Sequence, residues 1–239
     1  MTFRNNLKFF LRNFGLDINR YNINESDDSR LAYFLKSKKI DSVFDVGANE
    51  GQYATHLRRI GYSKNIVSFE PMQNAYKVLK LKSIKDGNWT AYNFGIGEKE
   101  KEVELNISEN SYSSSVLQIL PTHVEAAPQS KYISKEMISI KRLDSLHEIN
   151  IDKFNKIFLK IDTQGYEEQA LMGAEKILSK VEGIQMELSL QPLYKGQSTF
   201  TELYEKIKKL NFSLWDLRTG FKNIKTGQIY QVDGIFFKN

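Results

Sequence analysis

The chain has 239 residues, of which 41% are hydrophobic and 26% charged, and this fits one globular α/β domain with added segments. The net charge of +5 is small, and lysine and glutamate are interleaved in stretches such as GEKEKEVE, so the charge does not indicate nucleic-acid binding. There is no cysteine, which excludes disulfides, thiolate catalysis and thiolate metal sites, and the three histidines lack the spacing of a zinc motif.

The first residues, 1–14, have an amphipathic helical pattern. Its apolar face carries Phe3, Leu7, Phe10, Leu11 and Phe14, and its basic face carries Arg4, Lys8 and Arg12. We interpret this segment as a helix that caps the domain, with peripheral contact to a membrane surface as the alternative. No run is long enough to span a membrane and no secretory signal is visible, so we expect a cytoplasmic protein, membrane-associated only under the alternative.

Short apolar runs then alternate with helical patterns. The predicted strands are DSVFDVG, NIVSFEP, WTAYNFGIG, KIFLKID, GIQMELSL, FSLWDL and IYQVDGIFFK, and the predicted helices cover about 52–60, 73–84 and 198–210, with one more beginning near Tyr166. This alternation predicts a mostly parallel sheet with helices on both faces. The link between the last two strands is short and contains Gly220 and Gly227, so these strands should pair antiparallel.

A segment at about 99–143 interrupts this rhythm. Its two ends, KEVELNI and MISIKRL, alternate like strands, and a long polar stretch lies between them. That stretch contains Ser111, Ser113, Ser114, Ser115 and His123, with Tyr112 and Tyr132 among them. Such a loop inside a compact domain is usually functional or mobile, so we expect either a lid over a site or a surface loop. We therefore divide the chain into a helical extension, 1–40, and one α/β domain, 41–239, with an insertion.

The turn after the first strand, DVGANEG, lies where open parallel sheets bind ligands. Gly47 and Gly51 would allow a ligand to approach the backbone. The G-x-x-x-G spacing is not the dinucleotide fingerprint, and no Lys-Ser/Thr pair follows as in a P-loop, so the ligand should lack a pyrophosphate. Glu70 ends the second strand, where a carboxylate can accept hydrogen bonds from a ribose diol. These features together indicate S-adenosylmethionine.

Six motifs in order, VFDVGANEGQY, VSFEP, NFGIGE, KRLDSL, LKIDTQGYEEQALMGAEKIL and QMEL, resemble the FkbM-type S-adenosylmethionine-dependent methyltransferases over about residues 41–190. The resemblance implies a Rossmann-like class I methyltransferase fold, with a seven-stranded sheet and an antiparallel C-terminal hairpin. It also implies methyl transfer, usually to a hydroxyl oxygen, with S-adenosylhomocysteine as the product. The expected acceptor is a small molecule or glycan, such as a sugar, a glycolipid or a secondary metabolite.

Two alternatives remain open. One is a methyltransferase acting on nucleic acid or protein, although DTQG stands where an Asp/Asn-Pro-Pro-Tyr/Phe motif would follow the fourth strand. The other is a nucleoside-binding module without catalysis. We expect no nucleic-acid partner, and a dehydrogenase is disfavoured because the dinucleotide fingerprint is missing.

The candidate site residues follow from the strand ends and the resemblance. The expected cofactor-binding residues are Asp45, Gly47, Ala48, Asn49, Gly51, Glu70, Asn93, Gly95 and Asp162, and the candidates for the base that removes the acceptor proton are Asp162, Glu187 and His123. A divalent ion held by Asp162 and Glu187 is a further alternative. We do not favour it, because nothing in the sequence completes a hard-ion site.

Overall fold

The computed structural model describes residues 10–12, 14–16 and 20–239. Most of the amphipathic segment, including Phe3, Arg4, Leu7 and Lys8, lies outside the described residues, so its role as a cap remains a prediction. In the described part of the chain, no helix is both long and apolar enough to cross a bilayer.

Ten strands and six α-helices organise residues 27–238. The strands are β1 Ser42–Val46, β2 Asn65–Phe69, β3 Trp89–Tyr92, β4 Gly95–Ile96, β5 Lys101–Ser108, β6 Tyr132–Lys141, β7 Ile157–Ile161, β8 Val181–Ser189, β9 Phe212–Thr219 and β10 Gln231–Lys238. The helices are α1 Asp27–Ser37, α2 Gln52–Arg59, α3 Gln73–Ile84, α4 Pro121–Ala126, α5 Glu167–Met172 and α6 Phe200–Lys209.

Seven strands form the main sheet in the order β3-β2-β1-β7-β8-β10-β9. The pairs from β3 through to β8 are parallel, and β10 is antiparallel to both of its neighbours. The predicted mostly parallel, Rossmann-like sheet with an antiparallel C-terminal hairpin is confirmed. Because β2 lies on one side of β1 and β7 on the other, the strand order reverses direction at the end of β1, where ligands of such sheets bind.

Alternation along the strands divides the core between the two faces of the sheet. Val43 and Phe158 pack under α1 and α2, with Leu31 and Leu35 of α1 in the same cluster. Phe44 belongs to the cluster on the opposite face, which α5 and α6 cover. The strands are therefore buried on both faces, as parallel sheets require.

The insertion builds a second sheet of three strands in the order β4-β6-β5. The single strand predicted for WTAYNFGIG is wrong, because it is divided into β3 of the main sheet and β4 of the small one. The break follows from the hydrogen-bond partners: Asn93 donates to the carbonyl oxygens of Glu70 and Pro71, and the chain then pairs with β6. The strand β6 begins at Tyr132, so the connection from β5 is shorter than predicted and contains α4.

Candidate active site

A cavity of about 390 Å³ lies at the carboxyl ends of β1, β2, β7 and β8. The small sheet and the connection 109–131 form its other walls. Its size falls within the range of pockets that bind small molecules. Of the residues predicted from the sequence, the cavity wall contains Gly47, Asn49, Glu70, Gly95, His123, Asp162 and Glu187.

The turn after β1 fits closely against the turn after β7. Gly47 has a φ of +79°, and a Cβ atom there would lie 1.8 Å from the carbonyl oxygen of Asp162. Only glycine satisfies both the left-handed backbone and this approach. The same turn presents the backbone N–H of Asn49 to the carboxylate of Glu70 at 2.7 Å. The β1 turn therefore joins the predicted cofactor residues to the predicted catalytic loop.

Glu70 is 3% exposed and accepts two backbone hydrogen bonds. The N–H of Asn49 lies 2.7 Å from Oε2 and the N–H of Met72 lies 2.8 Å from Oε1. Burial raises the pKa of Glu70 to about 7, although both backbone donors favour the ionised form. Each carboxylate oxygen has two lone pairs, so each can still accept a hydroxyl donor from a ligand.

Asp45 does not line the cavity, because its side chain is fully buried on the α2 face of the sheet. There it pairs with Lys160 of β7, whose Nζ lies 3.2 Å from Asp45 Oδ1, 3.5 Å from Asp162 Oδ2 and 3.3 Å from the Gly47 carbonyl oxygen. Burial alone would lower the pKa of Lys160, but the charges of Asp45 and Asp162 raise it above its ordinary value. Lys160 therefore links the turn after β1 to the turn after β7. A lysine inside the apolar run KIFLKID was a signal for such a pair.

Three further predicted residues also lie away from the cavity wall. Ala48 is part of the apolar core under α1 and α2. A Cβ atom on Gly51 would lie 2.7 Å from the ring of Trp89, so this glycine serves packing. Asn93 uses its side-chain amide to hold backbone carbonyls, as described above. These residues shape the loops that line the cavity.

Gln164 bridges the two carboxylates at the ends of β7 and β8. Its Nε2 lies 2.9 Å from Asp162 Oδ1 and 3.0 Å from Glu187 Oε2. Its Oε1 accepts a hydrogen bond from the hydroxyl of Tyr194 at 2.8 Å. Gln231, at the start of β10, donates to Glu187 Oε2 at 2.6 Å. Sequence reasoning missed both glutamines, because an uncharged polar residue in a turn or at a strand start carries no distinctive signal.

Glu167 organises the DTQG turn from inside the protein. Its Oε1 accepts hydrogen bonds from the backbone N–H of Thr163 at 2.8 Å and from that of Gly165 at 3.0 Å. Burial raises the pKa of Glu167 to about 7. The carboxylate therefore holds the loop that carries Asp162 and Gln164.

His123 lies on α4 in an aromatic environment. Its ring centroid is 5.2 Å from that of Tyr194 and 4.9 Å from that of Phe221. Its buried Nδ1 has no hydrogen-bond partner among the described residues. Burial lowers the pKa of His123 to about 4, so the ring is neutral at physiological pH.

The serine-rich segment forms part of the cavity wall. The Ser115 hydroxyl donates to the backbone oxygen of Gln164 at 2.6 Å, and Ser113 and Ser114 are buried. At the other end, the Tyr112 hydroxyl accepts a hydrogen bond from Gln52 at 3.3 Å. These contacts favour the lid interpretation over a surface loop. The predicted lid residue Tyr132 does not reach the cavity; its hydroxyl donates to the carbonyl oxygen of Leu117 at 2.7 Å.

The sequence profile of the Methyltransferase FkbM domain matches residues 45–214, which is most of the chain. The chain belongs to the FkbM methyltransferase family. The protein is therefore an S-adenosylmethionine-dependent methyltransferase. Its cavity lies at the carboxyl ends of the strands, the edge at which open parallel sheets generally bind ligands. No curated protein sequence matches this FkbM methyltransferase.

Two solved structures of methyltransferases are similar to this chain at low sequence identity. Magnesium protoporphyrin IX methyltransferase from Synechocystis PCC 6803, solved with bound S-adenosylmethionine, has 9% identity and a TM-score of 0.48, over 89% of this chain and 78% of that one. An rRNA methylase from Streptococcus thermophilus has 14% identity and a TM-score of 0.46, over 93% of this chain and 99% of that one. At these values the likeness leaves the acceptor of the FkbM enzyme open.

Among the residues that the structure describes, no group of three or more histidine, aspartate or glutamate side chains is arranged to hold a metal ion. Asp162 and Glu187, the pair considered for a divalent ion, are bridged by the amide of Gln164. An amide N–H donates and cannot ligate a cation, so the arrangement favours two hydrogen-bonded carboxylates.

Proposed function

We propose that this enzyme transfers the methyl group of S-adenosylmethionine to a hydroxyl oxygen of an uncharged acceptor, a sugar or another polyhydroxylated small molecule. The observation that carries the proposal is the charge of the cavity wall. Among the described wall residues, Glu70, Asp162 and Glu187 are acidic, and there is no lysine or arginine.

The β1–β2 end of the cavity is assigned to the cofactor. In this proposal Glu70 accepts hydrogen bonds from the ribose hydroxyls, because its two oxygens are fixed by backbone donors and still have free lone pairs. Gly47 and Asn49 bind the amino-acid end, and Gly95 with Met72 lines the adenine end. Asp45, Ala48, Gly51 and Asn93 hold these loops without touching the ligand.

The β7–β8 end is assigned to the acceptor. Among its described residues, this end offers no lysine or arginine to pair with a phosphate or carboxylate group, whereas sugar hydroxyls can donate hydrogen bonds to its carboxyl oxygens. Phe221 offers an aromatic surface to the apolar face of a sugar ring. The acidic wall therefore favours a neutral polyol over nucleic acid, which would bring a phosphate with every nucleotide.

The cofactor, when bound, supplies an already activated methyl group. The protein has three remaining tasks, which are to align the acceptor oxygen, to exclude water and to accept the hydroxyl proton. The insertion and α4 cover the cavity, which serves the second task. Three wall residues are candidates for accepting the hydroxyl proton: Asp162, Glu187 and His123.

An acceptor screen tests the proposal. Methyl transfer is measured by mass spectrometry on neutral sugars, on the same sugars carrying a phosphate, and on an RNA oligonucleotide. We expect a methyl ether on at least one neutral sugar and at least tenfold slower transfer to its phosphorylated form. Transfer to RNA, or preference for the phosphorylated sugars, would contradict the proposal.

A further inference from the structure

We propose that Glu187 is the general base of methyl transfer, with its Oε1 atom taking the acceptor proton, and that Gln164 and Gln231 are the residues that position it. This inference rests on the proposed function, since it concerns the hydroxyl that is methylated. It follows from the donors around each carboxylate oxygen at the ends of β7 and β8.

Asp162 has both oxygens facing donors. Oδ1 accepts a hydrogen bond from the Gln164 amide at 2.9 Å, and Oδ2 faces the ammonium of Lys160 at 3.5 Å. An amide nitrogen and an ammonium both donate, so each oxygen of Asp162 already faces a donor of the protein.

Glu187 has one occupied oxygen and one free oxygen. Oε2 accepts from Gln164 at 3.0 Å and from Gln231 at 2.6 Å. Oε1 has no donor among the described residues, Glu187 lines the cavity, and this atom is not among the buried polar atoms that lack a partner. The free Oε1 atom of Glu187 is therefore open to the cavity, where it can receive a proton.

The surroundings of Glu187 raise its basicity. Burial raises its pKa well above the ordinary value, and the charges of Asp162 and Glu167 raise it further. The charge of Lys160 lowers the pKa of Glu187, but this is a smaller influence than burial and the two carboxylates. A carboxylate with a raised pKa is a stronger base than an ordinary glutamate, which suits it to accept a proton during transfer.

His123 is the poorer candidate. Burial lowers its pKa to about 4, which leaves little basicity, and its Nδ1 is sealed inside the protein. Its ring instead packs against Tyr194 and Phe221, where it forms part of the acceptor wall.

In the transfer step, one bond forms, one bond breaks and one proton moves. The acceptor oxygen forms a bond to the methyl carbon, the bond from that carbon to sulfur breaks with its electron pair going to sulfur, and the hydroxyl proton passes to Glu187 Oε1. The products are a methyl ether, S-adenosylhomocysteine and a protonated Glu187 that returns its proton to water.

The test compares wild type with Glu187→Gln, Asp162→Asn and the control Glu182→Gln, which makes the same change on β8 outside the cavity. We expect kcat of Glu187→Gln to fall by about 10²- to 10⁴-fold, with the dissociation constant of S-adenosylhomocysteine changing less than about threefold by calorimetry. The acidic limb of the kcat–pH profile should vanish in Glu187→Gln and persist in Asp162→Asn. Glu182→Gln should match wild type.

A second readout does not need an acceptor. The pKa of Glu187 is raised in the folded state, so the group destabilises the fold increasingly as the pH rises from the unfolded pKa to the folded pKa, and this cost disappears below the unfolded pKa. Glu187→Gln should therefore gain unfolding temperature relative to wild type at pH 8, and the gain should shrink at pH 5. No such pH-dependent gain, or a kcat of Glu187→Gln within threefold of an active wild type, would overturn the assignment. A wild type that methylates no hydroxyl acceptor would instead refute the proposed function.

Discussion

If Glu70 binds the cofactor as proposed, cofactor binding should depend on pH in a defined direction. Burial raises its pKa to about 7, and the backbone N–H groups of Asn49 and Met72 point at its two oxygens. The ionised carboxylate accepts from these donors and from a ribose diol, whereas a protonated carboxyl group must turn one O–H towards a donor or towards the ligand. Binding should therefore favour the ionised form, and affinity should fall as the pH drops below 7.

The magnitude follows from the fraction of ionised Glu70. If only that form binds, the dissociation constant rises about tenfold at pH 6 and about a hundredfold at pH 5 relative to its value at high pH, which is about 2.7 kcal/mol for the larger change. S-adenosylhomocysteine is the suitable ligand because it lacks the sulfonium charge. The assay is calorimetric titration between pH 5 and 8.5.

The matched control is Glu70→Gln. It keeps the size of the side chain, removes the titration and supplies an N–H where one backbone donor needs an acceptor, so binding should be weaker and independent of pH. A wild-type dissociation constant that does not change between pH 5 and 8.5, or an equal pH dependence in Glu70→Gln, would refute the reasoning.

Three further substitutions test the architecture. Gly47→Ala places a Cβ atom 1.8 Å from a carbonyl oxygen, so we expect a lower unfolding temperature and no cofactor binding by calorimetry; normal binding would contradict this. Lys160→Met leaves Asp45 buried without its charged partner. Denaturant unfolding at pH 7.5 should then show a free energy of unfolding lower by about 3–5 kcal/mol than that of wild type. A decrease below about 1 kcal/mol would mean that the pair is dispensable. His123→Phe removes an unpartnered buried nitrogen from an aromatic environment, so stability should be kept or raised and the kcat–pH profile unchanged; loss of its acidic limb would make His123 the base.

Much of the fold could be predicted because its signals are local. The alternation of short apolar runs with helical patterns predicts a parallel sheet, and the short, turn-rich link before β10 predicts the antiparallel hairpin. The division of WTAYNFGIG was not predictable in this way. It depends on pairing between β4 and Ile140 of β6, which lies far along the chain.

The site was predictable as far as strand ends determine it. Glu70 and Asp162 directly follow β2 and β7, Glu187 lies near the end of β8, and the sheet brings the three residues to one cavity. The side-chain partner of Asp45 was not predictable, because the register of β1 on β7 decides that Lys160 lies beside it. Gln164 was missed for a related reason, since its role appears only when β7 and β8 are neighbours.

The central claim is that the cavity at the ends of β1 and β2 holds S-adenosylmethionine. Calorimetric titration of wild type and Glu70→Ala with S-adenosylmethionine, NAD and ATP tests it most directly. We expect micromolar binding of S-adenosylmethionine alone, weakened at least tenfold by Glu70→Ala and changed little by Glu182→Gln. Binding of NAD or ATP in its place, or an affinity for S-adenosylmethionine that Glu70→Ala leaves unchanged, would contradict the account.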